Sequence, residues 1–445
     1  MLSGVGLVIA NMVGAGVFVS TGSMVQNMNS QQILAAWAVG TLIALAGAKA
    51  YSGITQLVPQ SGGEYRFLST LVHPILGYLA GWASLLIGFS APIAIGAIAT
   101  GAFARTLHTG VNATLIATLM ILALTAAHAV GMRFSVSAQN SLVALKILLV
   151  VGFIIAGLIW GTHTWTWPDW TPIAHTDAAL TDTAQAGGFP IGAFMLSLFY
   201  IAFTFSGWNA AIYAASEFRN PKRDVPRAMI LGCTVVGILY LFINWIFVTN
   251  IHPEDQLAVA NDYYGAGVSI TLGHRIMESI LGETGAACMS ILAIIAFISS
   301  ASAMTFLGPR VYSAMARDGF LPAALKGKEG KPPVGAVILQ GAIALILVFA
   351  YNLRDVLSNV GAVLTLFSAL TVFSLFWICF KRREYPRPAP SVLTAAGFYL
   401  IISVVMLYFG FRGSLTLSLW VGVCILASLI GYFIAKKKMA SRSNH

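Results

Sequence analysis

The sequence predicts an all-α polytopic membrane protein with about twelve transmembrane helices. Of its 445 residues, 58% are hydrophobic and 9% are charged, whereas about a quarter of the residues in a typical soluble domain are charged. The hydrophobic residues come in long runs, and a run of about 20 residues lets an α-helix cross the hydrocarbon core of a bilayer. Almost all of the basic residues stand between these runs. No part of the chain has the composition of a soluble domain.

Twelve apolar runs can be marked along the chain. They lie near Leu2–Met28, Gln32–Val58, Ile75–Arg105, Asn112–Val130, Ala138–Gly161, Gly192–Phe218, Ala228–Asn250, Gly285–Met315, Val334–Tyr351, Val356–Phe380, Ser391–Phe411 and Ser414–Ala435. An even number of crossings places both termini on the same side of the membrane.

The distribution of lysine and arginine indicates which side that is. With a cytoplasmic N-terminus, nineteen of the 25 basic residues fall in cytoplasmic segments. The outside segments then hold Arg105, Arg275, Arg354 and Arg412. Because basic residues accumulate on the cytoplasmic side of membrane proteins, we expect both termini in the cytoplasm. The net charge of +10 therefore indicates membrane topology and does not predict a nucleic-acid ligand.

The first and sixth runs are predicted to be discontinuous helices. Gly14 and Gly16 lie in the middle of the first run, and Ser206-Gly207-Trp208-Asn209 lies in the middle of the sixth. Glycine weakens a helix, and backbone groups released inside a bilayer are tolerated only beside a cavity or within protein. Interrupted helices at matching places in two halves indicate a transporter site. Close helix packing against the glycines is the alternative for either break taken alone.

The chemistry of such breaks suits a zwitterion. A half-helix that begins at mid-membrane presents free N–H groups and a positive dipole end to a carboxylate, and unwound carbonyls suit an ammonium group. All fifteen acidic residues are placed in loops or at the ends of runs, and no His or Cys cluster has the spacing of a metal site. We therefore expect no cofactor and no metal. A membrane-embedded enzyme or a channel is disfavoured, because neither an acid–base pair nor a ring of charge is visible.

Lys146 lies near the centre of the fifth run. An ionisable residue at this depth is costly unless it is paired or hydrogen-bonded, so it predicts a functional role. The alternative is that the side chain snorkels towards the membrane surface.

Several motifs, in order, resemble the amino acid–polyamine–organocation (APC) superfamily, nearest its L-amino-acid transporter branch. The residues that carry the resemblance are Gly14–Phe18, Pro59 with Ser61–Tyr65, Gln139 and Asn140 with Lys146, Phe203–Asn209, Asn220–Arg227 and Arg310–Pro322. They cover most of the first eight runs, and the last four runs match only in hydropathy. The resemblance implies a five-plus-five inverted-repeat transporter fold. On that basis residues 1–435 form a single transmembrane transporter domain, with residues 1–161 as the first repeat, 190–380 as the second, 391–435 as two extra helices, and 436–445 as a short basic cytoplasmic tail.

The resemblance also implies roles for individual residues. The substrate carboxylate is expected on the amides of Ala15, Gly16 and Val17, and the substrate ammonium on the carbonyls of Met12, Phe203 and Ser206. Phe203 corresponds to an aromatic gate, and Gly207 and Asn209 complete the expected substrate-binding set. The ammonium of Lys146 corresponds to the position of a sodium ion in other members, with Ser300, and Ser299 beside it, as the coupling partners on the eighth run.

The expected function is sodium-independent transport of L-amino acids, with neutral side chains, across a bacterial inner membrane by alternating access, as an exchanger or a proton-coupled carrier. The alternative is a polyamine or cationic amino acid antiporter, for which spans 3, 8 and 10 offer no buried acid, although Phe297 or Phe306 could contact a cation. The expected partners are a small-molecule amino acid and the lipid bilayer, with no nucleic acid. In the family that the chain resembles, eukaryotic members bond an ancillary chain through a cysteine in an outside turn. The corresponding turn from Thr106 to Val111 lacks a cysteine, so no covalent ancillary subunit is expected, and the chain is expected to be a monomer or homodimer.

Overall fold

The computed structural model describes residues 2–25, 27–131, 136–161, 191–252, 271–328, 332–350, 353–382, 384–413 and 415–443, together with residues 189 and 258. Within this part of the chain the regular structure is helical and contains no strand. In chain order the α-helices are α1 Leu2–Met12, α2 Ala15–Val25, α3 Ser30–Leu57, α4 Gly63–Leu71, α5 Pro74–Ala83, α6 Ala91–Leu107, α7 Ala113–Ala129, α8 Val136–Trp160, α9 Ile191–Phe205, α10 Ala210–Tyr213, α11 Pro221–Thr249, α12 Leu272–Arg317, α13 Val334–Ala350, α14 Leu353–Lys381, α15 Pro390–Gly413 and α16 Leu415–Ser443.

The helices confirm the prediction of an all-α polytopic membrane protein. By length and composition, eight helices within the described residues suffice to cross a membrane. Three shorter apolar helices, Ala113–Ala129, Ile191–Phe205 and Val334–Phe349, accompany them. The count of twelve crossings stays a prediction.

Both predicted helix breaks are present. Val13 and Gly14 separate α1 from α2, and residues 206–209 separate α9 from α10. Gly207 has a φ of 107°, a backbone conformation that side chains other than glycine's rarely adopt. A short 3-10 helix, Ala215–Glu217, follows α10.

Three runs depart from the straight helices that the sequence suggests. The third run contains a π-helical segment, Ser84–Ser90, between α5 and α6. It ends two residues before Pro92, which has no N–H to continue the regular pattern. The eighth run lies within α12, which begins at Leu272, before the predicted start of the run at Gly285, and is kinked at Gly282. The last helix continues to Ser443 through the predicted basic tail, because Lys, Ala and Met favour helix and positive charge suits a helix C-terminus.

The two broken helices lie at the centre of the packing. α1 packs on α11 and α12, whereas α2 packs on α9 and α12, and α9 also contacts α3 and α14. Every residue of α2 is buried. A helix buried on all sides is one that other helices surround, not one that faces lipid. The core of the protein is therefore built around the break residues.

Candidate functional site

The first break leaves backbone groups without helical partners. Ala15, Gly16 and Val17 are the first residues of α2, where the N–H groups have no acceptor within the helix. Ala15 and Gly16 line a small cavity of about 320 Å³, whereas Val17 is fully buried and does not line it. Two of the three residues whose amides are predicted to hold the carboxylate therefore line this cavity.

Lys146 lies at this break and is fully buried. Its Nζ donates hydrogen bonds to the carbonyl of Val13 at 2.6 Å and to that of Ala10 at 3.2 Å. The Oγ of Ser300 donates to the neighbouring carbonyl of Asn11 at 3.2 Å. The end of α1 is therefore held from α8 by an ammonium group and from α12 by a hydroxyl.

Lys146 makes no direct hydrogen bond to Ser299 or Ser300 within the described part of the chain. The connection from α8 to α12 runs through the backbone of residues 10–13. The side chains of Gln139 and Asn140, which belong to the Lys146 motif, lie outside the described residues.

Tyr240 is a contact that sequence reasoning missed. Its hydroxyl, on α11, donates to the carbonyl of Met12 at 2.6 Å and lies 3.4 Å from the carbonyl of Thr204. A carbonyl oxygen has two lone pairs, so Met12 keeps one for a substrate ammonium. A tyrosine in an apolar run also packs well through its ring alone, and nothing in the sequence separates that role from this one.

The second break faces the first. A Cβ added to Gly207 would lie 2.9 Å from Cβ of Asn11, and one added to Gly16 would lie 2.7 Å from Cα of Thr204. Contacts this short require a residue without a side chain. The sequence allowed two interpretations of these glycines, close packing of helices or a backbone accessible at a site. Both hold at these positions.

The small cavity lies between the two breaks. Of the predicted site residues, it is lined by Met12, Ala15, Gly16, Phe203, Ser206 and Ser300. Phe203 and Phe297 supply its aromatic walls. Phe306 lies elsewhere, with its ring centroid 3.5 Å from the guanidinium carbon of Arg310. The carbonyl of Phe203 accepts the amide of Ser206 at 2.9 Å, which leaves it one lone pair.

A second, larger cavity of about 870 Å³ adjoins the small one. The two share Asn11, Ser206 and Met304 as lining residues. Two further predicted site residues, Gly207 and Asn209, line the larger cavity, whereas Val17, Lys146 and Ser299 are not among the described lining residues of either cavity. Its other walls come from α3, α4, the π-helical segment Ser84–Ser90, α9, α10, α12, α14 and α15, and α2 contributes none of the described lining residues.

The larger cavity is lined by a buried acid, although the sequence places every acidic residue in a loop or at the end of an apolar run. Glu64 lies in the first turn of α4 and is only 4% exposed. Its Oε1 accepts hydrogen bonds from Tyr51 Oη at 2.6 Å, Asn209 Nδ2 at 3.3 Å and Ser368 Oγ at 3.3 Å. Burial raises the pKa of the Glu64 carboxyl above its ordinary value, although the hydrogen bonds partly oppose this.

The approach of the chain to this cavity explains why Glu64 is buried. Gly62 and Gly63 have φ angles of 124° and 57°, and a Cβ on Gly63 would lie 2.1 Å from Cε1 of Tyr213. The glycine pair lets α4 turn back and press against the segment after the second break. A Gly-Gly pair in a sequence is typical of an exposed loop, so the burial of Glu64 was not predicted.

The chain shows similarity to known proteins over nearly all of its length. The family model described as amino acid permease matches residues 1–435. The b(0,+)-type amino acid transporter 1 of Mus musculus is 25% identical over 451 aligned residues, which cover 98% of this chain and 87% of that protein. The large neutral amino acids transporter small subunit 2 of Homo sapiens is 25% identical over 418 residues, which cover 92% of this chain and 75% of that protein.

Proposed function

The chain belongs to the amino acid permease family of the APC superfamily, and from this premise we propose that it carries neutral L-amino acids across a bacterial inner membrane without sodium, by alternating access. It acts as an exchanger or a proton-coupled carrier, with both termini in the cytoplasm. Amino acid transport itself follows from the family and from relatives named as amino acid transporters.

The contact between Lys146 and the first break is the observation that carries the proposal. Its ammonium is hydrogen-bonded to the carbonyls of Ala10 and Val13. Unwound backbone carbonyls at broken helices coordinate sodium ions in transporters of this architecture. A lysine ammonium that uses these carbonyls supplies the positive charge itself, so no sodium ion is needed there.

The carboxylate and ammonium groups of the substrate amino acid are assigned to the small cavity. The amides of Ala15, Gly16 and Val17, at the positive end of α2, receive the carboxylate. The carbonyls of Met12, Phe203 and Ser206 receive the ammonium. The ring of Phe203 closes over the bound amino acid as a gate.

The substrate side chain is assigned to the larger cavity, which begins at Ser206 and continues past Gly207 and Asn209. A polyamine or cationic amino acid antiporter is the second candidate, because Glu64 and the ring of Tyr213 in this cavity suit a positive group. The protein acts as a monomer or homodimer, without a covalently attached subunit.

Counterflow in proteoliposomes tests the proposed function. Purified full-length protein is loaded with one unlabelled amino acid, and entry of labelled neutral amino acids, basic amino acids and a polyamine is compared. Neutral L-amino acids should exchange, with equal rates in sodium, potassium and choline salts at constant pH. Protein-free liposomes and D-isomers serve as controls. Exchange restricted to basic amino acids or polyamines would favour the second candidate, and a sodium requirement would refute the role given to Lys146.

A further inference from the structure

Glu64 connects the segment after the second break to the surrounding helices. Its carboxylate accepts hydrogen bonds from Tyr51 on α3, from Ser368 on α14, and from Asn209, the last residue of the break. A second contact joins the same regions, because the amide of Ser216 donates to Oγ of Ser61 at 3.0 Å. Any movement of residues 209–217 relative to α3 and α14 must therefore change the surroundings of Glu64.

No cation balances this carboxylate among the described residues. The ion pairs there join Arg66 with Asp318, Arg310 with Glu217, and Arg382 with Glu384. These pairs include the charged groups Arg66 and Asp318, on or beside α4, and Arg310 on α12. His73, between α4 and α5, is exposed and caps α5 through the amide of Ile75.

The groups that do face Glu64 are neutral. The titratable ones are the phenols of Tyr51, Tyr213 and Tyr399. Neutral donors stabilise a carboxylate only in part, whereas burial of an unpaired charge is costly. Burying this carboxyl group costs less free energy when it is protonated and therefore neutral, and its raised pKa agrees with this.

We propose that Glu64 is a proton-binding site of the carrier, and that it must bind a proton before the larger cavity closes around it. When water enters the cavity, the carboxyl releases its proton to that water and the carboxylate becomes hydrated. When the cavity closes, a proton returns from water to a carboxylate oxygen, and the surrounding hydroxyls reorient. This inference rests on the proposed transport function, because it concerns a step of the same cycle.

The direction of the pH dependence follows from linkage. The closed arrangement has the higher pKa, so it binds the proton more tightly than the hydrated one does. Low pH therefore favours closure, and closure becomes less favourable as pH rises through the raised pKa. A cycle limited by closure slows by up to about tenfold for each pH unit above that value.

The test measures counterflow with equal pH on both sides of the proteoliposome membrane, between about pH 5 and about pH 8. The amino acid used is the one that exchanges fastest in the panel described above. The wild-type rate should fall as pH rises, and the profile of Glu64→Gln should be flat because glutamine cannot titrate. Glu384→Gln removes an exposed acid that does not line the larger cavity and should keep the wild-type profile.

Tyr51→Phe provides a test that does not remove the carboxylate. It deletes the 2.6 Å hydrogen bond to Glu64, which favours the charged form, and retains the ring that packs on Phe67 and Trp208. The midpoint of the pH profile should move upward by about half to one pH unit. This shift is expected even if Glu64→Gln does not fold. General destabilisation of the protein by Tyr51→Phe would lower the transport rate at every pH without moving the midpoint of the pH profile upward.

A flat wild-type profile, a Glu64→Gln profile that still falls with pH, or an unshifted Tyr51→Phe midpoint would each overturn the inference while leaving the proposed function intact. Selective loss of competition by basic amino acids in Glu64→Gln, with an unchanged pH profile, would also overturn it and assign Glu64 to the second candidate function. Absence of counterflow at every pH in the wild type would instead refute the proposed function.

Discussion

A buried lysine lies beside the small cavity and a buried glutamate lines the larger one, and the two side chains are held in different ways. Beside the small cavity, Lys146 is fully buried and bonds to the backbone carbonyls of Ala10, near the end of α1, and Val13, in the first break. In the larger cavity, Glu64 is 4% exposed and bonds to side chains from separate parts of the chain. The partners of the lysine are backbone groups, whereas those of the glutamate are side chains.

This difference indicates how each centre depends on the fold. Backbone carbonyls are available wherever a helix unwinds, so the lysine needs only the break and a helix packed against it. The glutamate needs α3, α4, α14 and the second break assembled together. We therefore expect the lysine centre to support the resting structure, and the glutamate centre to respond when the helices move.

Lys146→Met should produce the largest effect. Methionine suits an apolar span, but it leaves the carbonyls of Ala10 and Val13 without their donor, at a cost of about 1–3 kcal/mol for each buried group. Counterflow should fall by about tenfold or more at every pH, while the protein still inserts and elutes as a single species in detergent. Lys49→Met is the matched control, because Lys49 lies half-buried in α3 and forms no hydrogen bond or ion pair with the described residues. Normal transport by Lys146→Met would place the lysine outside the mechanism and would remove the contrast between the two centres.

Gly207→Val should affect both cavities at once, because Gly207 packs on Asn11, which lines both. The φ of 107° and the 2.9 Å approach to Asn11 predict a destabilisation of about 2–4 kcal/mol together with loss of exchange. Thermal unfolding in detergent separates the two effects. Gly152→Val is the control, since a Cβ at Gly152 meets nothing within 4 Å. Unimpaired uptake by Gly207→Val would contradict the proposed site. Gly16→Val should block uptake as well, and it too should destabilise the protein, because a Cβ at Gly16 would lie 2.7 Å from Cα of Thr204.

Phe203→Ala should have the smallest effect, confined to the small cavity. If the ring closes over bound substrate, its loss should slow exchange by about threefold to tenfold and weaken substrate binding less, because a gate acts on the moving step. Exchange rates and equilibrium binding of the same amino acid provide the comparison. Phe297→Ala removes another buried ring from the same cavity, but one carried by α12 and not by either of the two broken helices, so it should change the two quantities in parallel. Exchange kinetics unaltered by Phe203→Ala would exclude the gate.

The sequence by itself determined the class of the protein and the two helix breaks, and it singled out Lys146 as a candidate functional residue. These signals are local: an apolar run long enough to span, a glycine within it, and a charge where lipid or protein must surround it. A lysine in the middle of a 24-residue apolar run such as Ala138–Gly161 is conspicuous whatever its partners are. The structure then shows which carbonyls it contacts.

Only the tertiary structure decided where Glu64 lies and what Tyr240 and Asn11 contact. Glu64 follows Ser61-Gly62-Gly63 and is surrounded by polar residues in the sequence, which is typical of an exposed loop. Its burial arises because the glycine pair turns α4 towards the second break, and its partners Asn209 and Ser368 come from positions 145 and 304 residues away along the chain. The pattern of apolar residues records whether a segment meets lipid or water, but it does not record which distant side chains a polar residue meets, because those contacts exist only once the helices have packed.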